Sequence, residues 1–319
     1  MRTLALTGPT ASGKTALSLA LAEELGLEIV CLDSMQIYKD MNIGTAKPTK
    51  EEREKAPHHM VDFLPFWENY NAESYKADVI PVIDCIYSRG KIPFFVGGTG
   101  LYLDTLMGRG ENSAPPSDRE YIEKKHAEIK TQEDLHALWL RLSEVDPDSA
   151  AAIHENNVKR VLRALEIYEK SGKTKTYFDN ESKKNAPLFD IGVITLDFHN
   201  RDLLYERTDA RVDQMIKDGL ISEVEKLRAR GLFDNDTTAS QAIGYKELGE
   251  YLCGKVTKEE AIENLKTATR RYAKRQLTWF RHIKDAYRLF VDGEDGKMRN
   301  TADLISEART AAIMLLESK

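Results

Sequence analysis

Short apolar runs alternate with helical patterns through the first hundred residues. Leu4 to Thr7, Ile29 to Leu32 and Ile92 to Val96 read as strands, and helices begin near Gly13 and Ala72 between them. That alternation predicts parallel βαβ units. Each strand runs into a polar or glycine-rich segment: Gly8 to Thr15, Asp33 to Tyr38, and Gly97 to Tyr102. The crevice of an open parallel sheet lies beyond the carboxyl ends of its strands, so three segments converge on one site. The pattern changes near Gly108. Ala114 to Asp118 reads as a linker, and the chain is then largely helical to about Ala186, with Asp146-Pro147 as a capped helix start. Ile191 to Leu196 returns to a strand pattern, and the remainder is mainly helical. One long helix is predicted from Lys258 to about Lys284, with an apolar seam of Ala261, Leu265, Ala268, Tyr272, Trp279 and Ile283.

Composition narrows this picture. The 319 residues are 41% hydrophobic and 31% charged, enough to bury a core and stay soluble. No apolar run approaches the roughly 20 residues that cross a bilayer. Arg2 to Thr7 is too short for a signal peptide. Cys31, Cys85 and Cys253 form no C-x-x-C pair and read as buried thiols of a reducing cytoplasm, not as a zinc site. The net charge of −6 excludes uniform attraction to nucleic acid but leaves room for a local basic face. The stretch from Lys266 to Lys284 is such a face, with seven Lys or Arg residues and no acid.

Gly8-Pro9-Thr10-Ala11-Ser12-Gly13-Lys14-Thr15 matches G-x-x-x-x-G-K-[ST], the phosphate-binding loop. Its glycines let successive backbone N–H groups turn inward on phosphate oxygens, Lys14 adds a cation, and the helix behind presents its positive end. The Thr15 hydroxyl is placed to ligate Mg²⁺. The motif reports a phosphate chain without saying whether ATP, GTP or an isoprenyl diphosphate carries it. The expected fold is α/β: a P-loop NTPase-like parallel-sheet core over residues 1–114 and 188–319, with a helical insertion over residues 115–187.

Asp33, at a strand end facing the loop, could be a Mg²⁺ ligand, a general base or a cap for the next turn. Ser34 and Gln36 offer groups suited to a base edge. Lys159, Arg160 and Arg163 open an amphipathic helix closed at Gly172 and are either phosphate contacts or ordinary surface charge. Gln276 falls on the apolar seam, either as a satisfied core amide or as an RNA contact. His58 and His59 lack a nearby third ligand and read as structural.

Three further blocks are more specific together than the loop: Gly44-Thr45-Ala46-Lys47-Pro48, Gly97-Gly98-Thr99-Gly100-Leu101-Tyr102 and Ala273-Lys274-Arg275-Gln276-Leu277-Thr278-Trp279. With the loop, Asp33-Ser34-Met35-Gln36 and Gln241-Ala242-Ile243-Gly244-Tyr245-Lys246, the chain resembles the bacterial tRNA dimethylallyltransferases from Gly8 to Arg281. The resemblance implies dimethylallyl diphosphate as donor, with the adenosine at position 37 of a tRNA anticodon stem-loop as acceptor. Mg²⁺ is expected from the diphosphate, and the chain is expected to act as a monomer. Gly8 to Thr15 would hold the diphosphate. Asp33 would be the base at N6, and Lys14 and Thr99 would stand beside the reacting groups. Ser34, Met35, Gln36, Gln241, Gly244, Tyr245, Lys246, Lys274, Arg275, Gln276, Trp279 and Arg281 would contact tRNA. The family's channel arginine is missing: Ile122 stands at its place, and Arg119, one turn earlier, either substitutes or is a solvated surface residue.

An adenine amine is a poor nucleophile, so the donor must drive the reaction by ionising to an allylic cation as the diphosphate is neutralised. A small-molecule or nucleoside kinase would share the loop and use Asp33 toward a hydroxyl. An RNA-stimulated NTPase is the third reading. Transfer of prenyl label without ATP separates the first from both.

Overall fold

The computed structural model describes residues 2–109, 114–182, 184 and 187–318. Ala186, the expected end of the helical stretch, lies outside the described residues. The chain begins β1 (Thr3–Thr7), α1 (Lys14–Leu25), β2 (Leu27–Leu32), α2 (Lys50–Lys55), β3 (His58–His59), α3 (Ala72–Ser88), β4 (Ile92–Gly97) and α4 (Gly100–Leu106). Five helices follow: α5 (Arg119–Glu128), α6 (Gln132–Val145), α7 (Pro147–Ala152), α8 (Val158–Ser171) and α9 (Lys175–Ser182). The rest is β5 (Ile191–Asp197), α10 (Arg201–Lys217), α11 (Leu220–Ala229), α12 (Tyr245–Leu252), α13 (Lys258–Arg281), β6 (Tyr287–Phe290) and α14 (Thr301–Glu317).

The six strands form one parallel sheet in the order β3-β2-β4-β1-β5-β6. Every residue of β1 and β2 is buried, which is why both are mostly apolar without an alternating pattern. Buried Thr7 spends its hydroxyl on Thr195 across β1 and β5, at 2.9 Å. The core gathers Leu4 and Leu6 of β1, Leu17 and Leu21 of α1, Phe94 of β4, Leu196 of β5, and Leu304 and Ala308 of α14. All four predicted strands are present, each one or two residues longer than read. The strands β3 and β6 were not read, since both are short edge pieces; apart from β6, the part after β5 is mainly helical, as expected.

The chain divides into two compact units, Met1–Leu103 with Phe189–Lys319, and Asp104–Leu188. The second is helical, with a small core of Leu142, Ala150, Ile153, Val161, Ala164 and Leu165. Its helix starts follow the local chemistry. The Asp146 carboxylate accepts from the Ser149 N–H at 3.2 Å, with Pro147 in the first turn of α7. Gly172 closes α8 at φ 68°. In the first unit, a reciprocal Thr257–Glu260 capping box opens α13, which ends at Arg281, three residues before the expected Lys284. Its buried seam also differs, running through Ala261, Leu265, Ala273, Gln276, Leu277 and Phe280. Trp279 is 40% exposed, because an aromatic ring at the helix edge covers the neighbouring loop instead of entering the core. Only Cys31 of the three cysteines is buried; Cys85 and Cys253 are exposed, correcting the expectation of three buried thiols.

Candidate functional site

Residues 8–15 join β1 to α1, so the loop lies at the carboxyl edge of the central strand. Ala11 holds a left-handed φ of 61°, a strained conformation of the kind that collects at binding loops. Lys14 Nζ donates to its own loop's carbonyls, Gly8 O at 2.9 Å and Pro9 O at 2.7 Å. Burial and then the Arg211 guanidinium push its ammonium down to about 7, against a smaller upward pull from Asp33. Ser12 is buried, and its hydroxyl has no partner among the described residues. An orphaned hydroxyl within the glycine-lysine loop fits an oxyanion.

The loop forms one wall of a cavity of about 790 Å³. Its walls also include Asp33, Ser34, Met35 and Gln36 after β2, Gly97 and Gly98 at the end of β4, Arg207 and Arg211 of α10, Gln241 to Gly244, and Tyr272, Arg275 and Gln276 of α13. Four cations, Lys14, Arg207, Arg211 and Arg275, thus meet a single carboxylate, Asp33. Arg207 Nε donates to Ala11 O at 2.8 Å and so clasps the loop from α10. Burial lowers the pKa of Arg211, offset by Asp33. The sequence reading missed both arginines. They stand four residues apart on α10, and the placement of that helix beside the loop gives them their role.

Asp33 is both cap and wall. Its Oδ1 accepts from the Met35 N–H at 2.8 Å and the Gln36 N–H at 3.3 Å, turning the chain after β2. Burial raises its pKa above the ordinary carboxylate range, outweighing those two bonds and the pull of Lys14 and Arg211. Thr99 Oγ1 accepts from the Ser34 N–H at 3.0 Å and donates to Ser34 Oγ at 3.4 Å, knitting the β4 end to the Asp33 turn. The Gln36 amide is spent within the protein, donating to Thr45 O and Ala46 O at 3.1 and 3.2 Å.

Several residues expected to contact RNA have partners within the protein or are buried. Tyr245 is 0% exposed; its ring fills the space a Cβ on Gly44 would take, and its hydroxyl donates to Glu223 at 2.5 Å. Glu223 also receives the N–H groups of Asn42, Ile43 and Gly44, so one carboxylate staples two sequence blocks. Gly244 and Gln276 are buried as well. Arg281 is engaged by Asp197, with Nη2 at 2.6 Å and Nε at 2.9 Å from its two oxygens, because a buried carboxylate at the β5 end needs a cation. Gln241, Lys246, Lys274, Arg275 and Trp279 keep exposed surface. In the Asp104–Leu188 unit, Arg119 pairs with Glu123 at 2.5 Å and Arg163 with buried Glu166 at 2.7 Å, whereas Lys159 and Arg160 are exposed. His59 Nε2 meets Glu28 at 2.7 Å and His58 Nδ1 meets Ala56 O at 2.8 Å, a structural placement for both.

A phosphate loop at the central strand of a parallel sheet, walled by arginines, defines a P-loop-fold enzyme acting on a phosphorylated substrate. The IPP transferase profile matches residues 36–283 and the isopentenyl transferase profile residues 1–62. A tRNA dimethylallyltransferase of Bacillus velezensis is 48% identical over 280 residues, covering 87% of both chains. One of Acetivibrio thermocellus is 43% identical, covering 98% of this chain and 99% of the relative. The crystal structure of the Bacillus halodurans tRNA isopentenylpyrophosphate transferase superposes with a TM-score of 0.72 at 40% identity, over 99% of this chain and 97% of that one. A eukaryotic dimethylallyltransferase acting on tRNA gives 0.78 at 32% identity, over 98% of this chain and 78% of that one. The chain belongs to the tRNA dimethylallyltransferase family, whose members transfer a dimethylallyl group to tRNA. It is a prenyltransferase; the kinase reading is not favoured.

Proposed function

We propose that the cavity binds dimethylallyl diphosphate by its diphosphate end and admits adenosine 37 of a tRNA anticodon stem-loop. The observation carrying this is the charge of the walls, four cations against one carboxylate, beside an unpartnered Ser12 hydroxyl. The donor's C1–O bond breaks and diphosphate leaves with the electron pair, held by the loop N–H groups, Lys14, Arg207 and Arg211. The adenine N6 lone pair forms the new bond to C1. Asp33 takes the N6 proton as the amine becomes acidic, and its raised pKa suits it to that work. Among the described residues no group of three or more His, Cys, Asp or Glu could cage a metal. The Thr15 hydroxyl is the group that would hold Mg²⁺, which would supply positive charge to the leaving diphosphate. A single-stranded loop lets the target base leave its stack cheaply. Ser34, Met35, Gln241, Lys246, Lys274, Arg275 and Trp279 remain for RNA contact, in a cytoplasmic monomer.

The test is incubation with tRNA and labelled dimethylallyl diphosphate without ATP. Label is expected on N6 of adenosine 37. ATP hydrolysis or phosphate transfer, with unlabelled tRNA, would overturn the reading.

A further inference from the structure

Gln276 is polar, 5% exposed and set in the apolar seam of α13, yet both ends of its amide are used. Its Oε1 accepts from the Thr10 N–H at 2.8 Å, and its Nε2 donates to Gly98 O at 3.0 Å. A backbone N–H only donates and a carbonyl only accepts, so these partners fix which way the amide faces. One side chain thus ties the phosphate loop after β1 to the turn after β4, from a helix more than 170 residues further along the chain. The surrounding sequence makes room for it. A Cβ on Gly98 would lie 2.1 Å from Nε2, and a Cβ on Gly100 would lie 2.4 Å from the Trp279 ring. One turn before Gln276, the Tyr272 hydroxyl turns to the Thr99 and Gln276 side chains. The glycines of Gly98-Thr99-Gly100 are therefore the mould into which α13 fits.

We infer that Gln276 is a positioning residue for the donor: its amide holds the entry of the phosphate loop at Thr10, so that the N–H groups after it face the diphosphate. The inference rests on the diphosphate reading of that loop. It replaces an RNA contact with a role on the opposite side of the reaction. A loop freed at Thr10 leaves one N–H and one carbonyl buried without partners, and both favour a displaced loop.

The test uses the full chain with dimethylallyl diphosphate and an anticodon stem-loop. Gln276→Leu keeps the volume and removes both bonds. It is expected to weaken donor binding about 10- to 100-fold, the range for a buried polar group left unpaired, with KM for the stem-loop unchanged. Gln276→Glu supplies a second readout. Its carboxylate accepts from Thr10 but cannot donate to Gly98, whereas its protonated form makes both bonds. Its donor-binding defect relative to wild type should therefore shrink as pH falls from about 8 to about 6, since burial raises a carboxyl's pKa. Unaltered donor affinity in the Leu variant, a raised KM for the stem-loop instead, or a Glu defect independent of pH would each overturn the inference. Failure of the wild-type chain to bind the donor would instead sink the diphosphate reading itself.

Discussion

Two ionisable groups face each other across the cradle, and burial drives both toward neutrality. For Asp33 the folded pKa lies above the unfolded value, so the folded state holds its proton more tightly. Stability is full below the unfolded pKa and falls as pH rises through the folded one. Asp33→Asn keeps the acceptor for Met35 and Gln36 and removes that penalty. It should melt higher than wild type above this window and equally in acid, while turnover drops about 10²–10⁴-fold, the range for a general base. A variant that loses no turnover in a prenyl-transfer assay would remove Asp33 from the chemistry. For Lys14 the shift runs the other way, from 10.5 down to about 7. The unfolded chain binds the extra proton between those values, so the deficit is largest below about 7 and fades as pH rises through the window. A bound diphosphate restores the charged form. Binding near pH 8.5 should therefore take up close to one proton, measurable by titration calorimetry in buffers of different ionisation enthalpy. Lys14→Met should abolish that uptake.

At the scale of elements, α13 is two helices in one. Its inner side carries Tyr272 and Gln276 to the cavity. Its cations divide into engaged and free-facing sets. Lys266 pairs with Asp213 at 2.7 Å, Arg270 with Asp209 at 2.6 Å and Arg281 with Asp197 at 2.6 Å, whereas Arg271 and Lys274 are exposed. The seven cations of the sequence are thus not seven phosphate contacts. Arg271→Ala with Lys274→Ala should weaken tRNA binding and lower the salt slope by about 1.5, at roughly 0.7–0.9 per phosphate contact. Arg270→Ala should leave the slope nearly unchanged, because its charge already answers two acids. Equal slopes for both variants, measured by filter binding from low to moderate salt, would make this face ordinary surface.

At the scale of the whole molecule, what was legible followed from short-range rules. Leu4 to Thr7 and the glycine-lysine loop announce themselves because a buried strand and a phosphate cradle each need only local residues. The convergence of three strand ends followed from topology alone. Arg207 and Arg211 escaped notice because their importance comes from where α10 is laid, which no local pattern states. The packing roles of Tyr245 and Gln276 were not fixed by local pattern for the same reason: a polar side chain's partners, here Glu223 and Gly98, stand about 20 and 180 residues away. The edge strand β6 was missed because four residues leaning on β5 make no periodic signal. The seam of α13 was misread where Trp279 covers a glycine turn instead of the core.

The strand order also governs how the molecule is made. The strand β1, which carries the phosphate loop, precedes the other five strands in the chain, yet one of its neighbours is β5, separated from it by nearly 190 residues. Until that neighbour is synthesised, β1 has an open edge on one side. The arginines of α10 and the amide of α13 arrive later still. The glycine-lysine motif is therefore synthesised long before the α10 and α13 residues that complete the walls of its cavity.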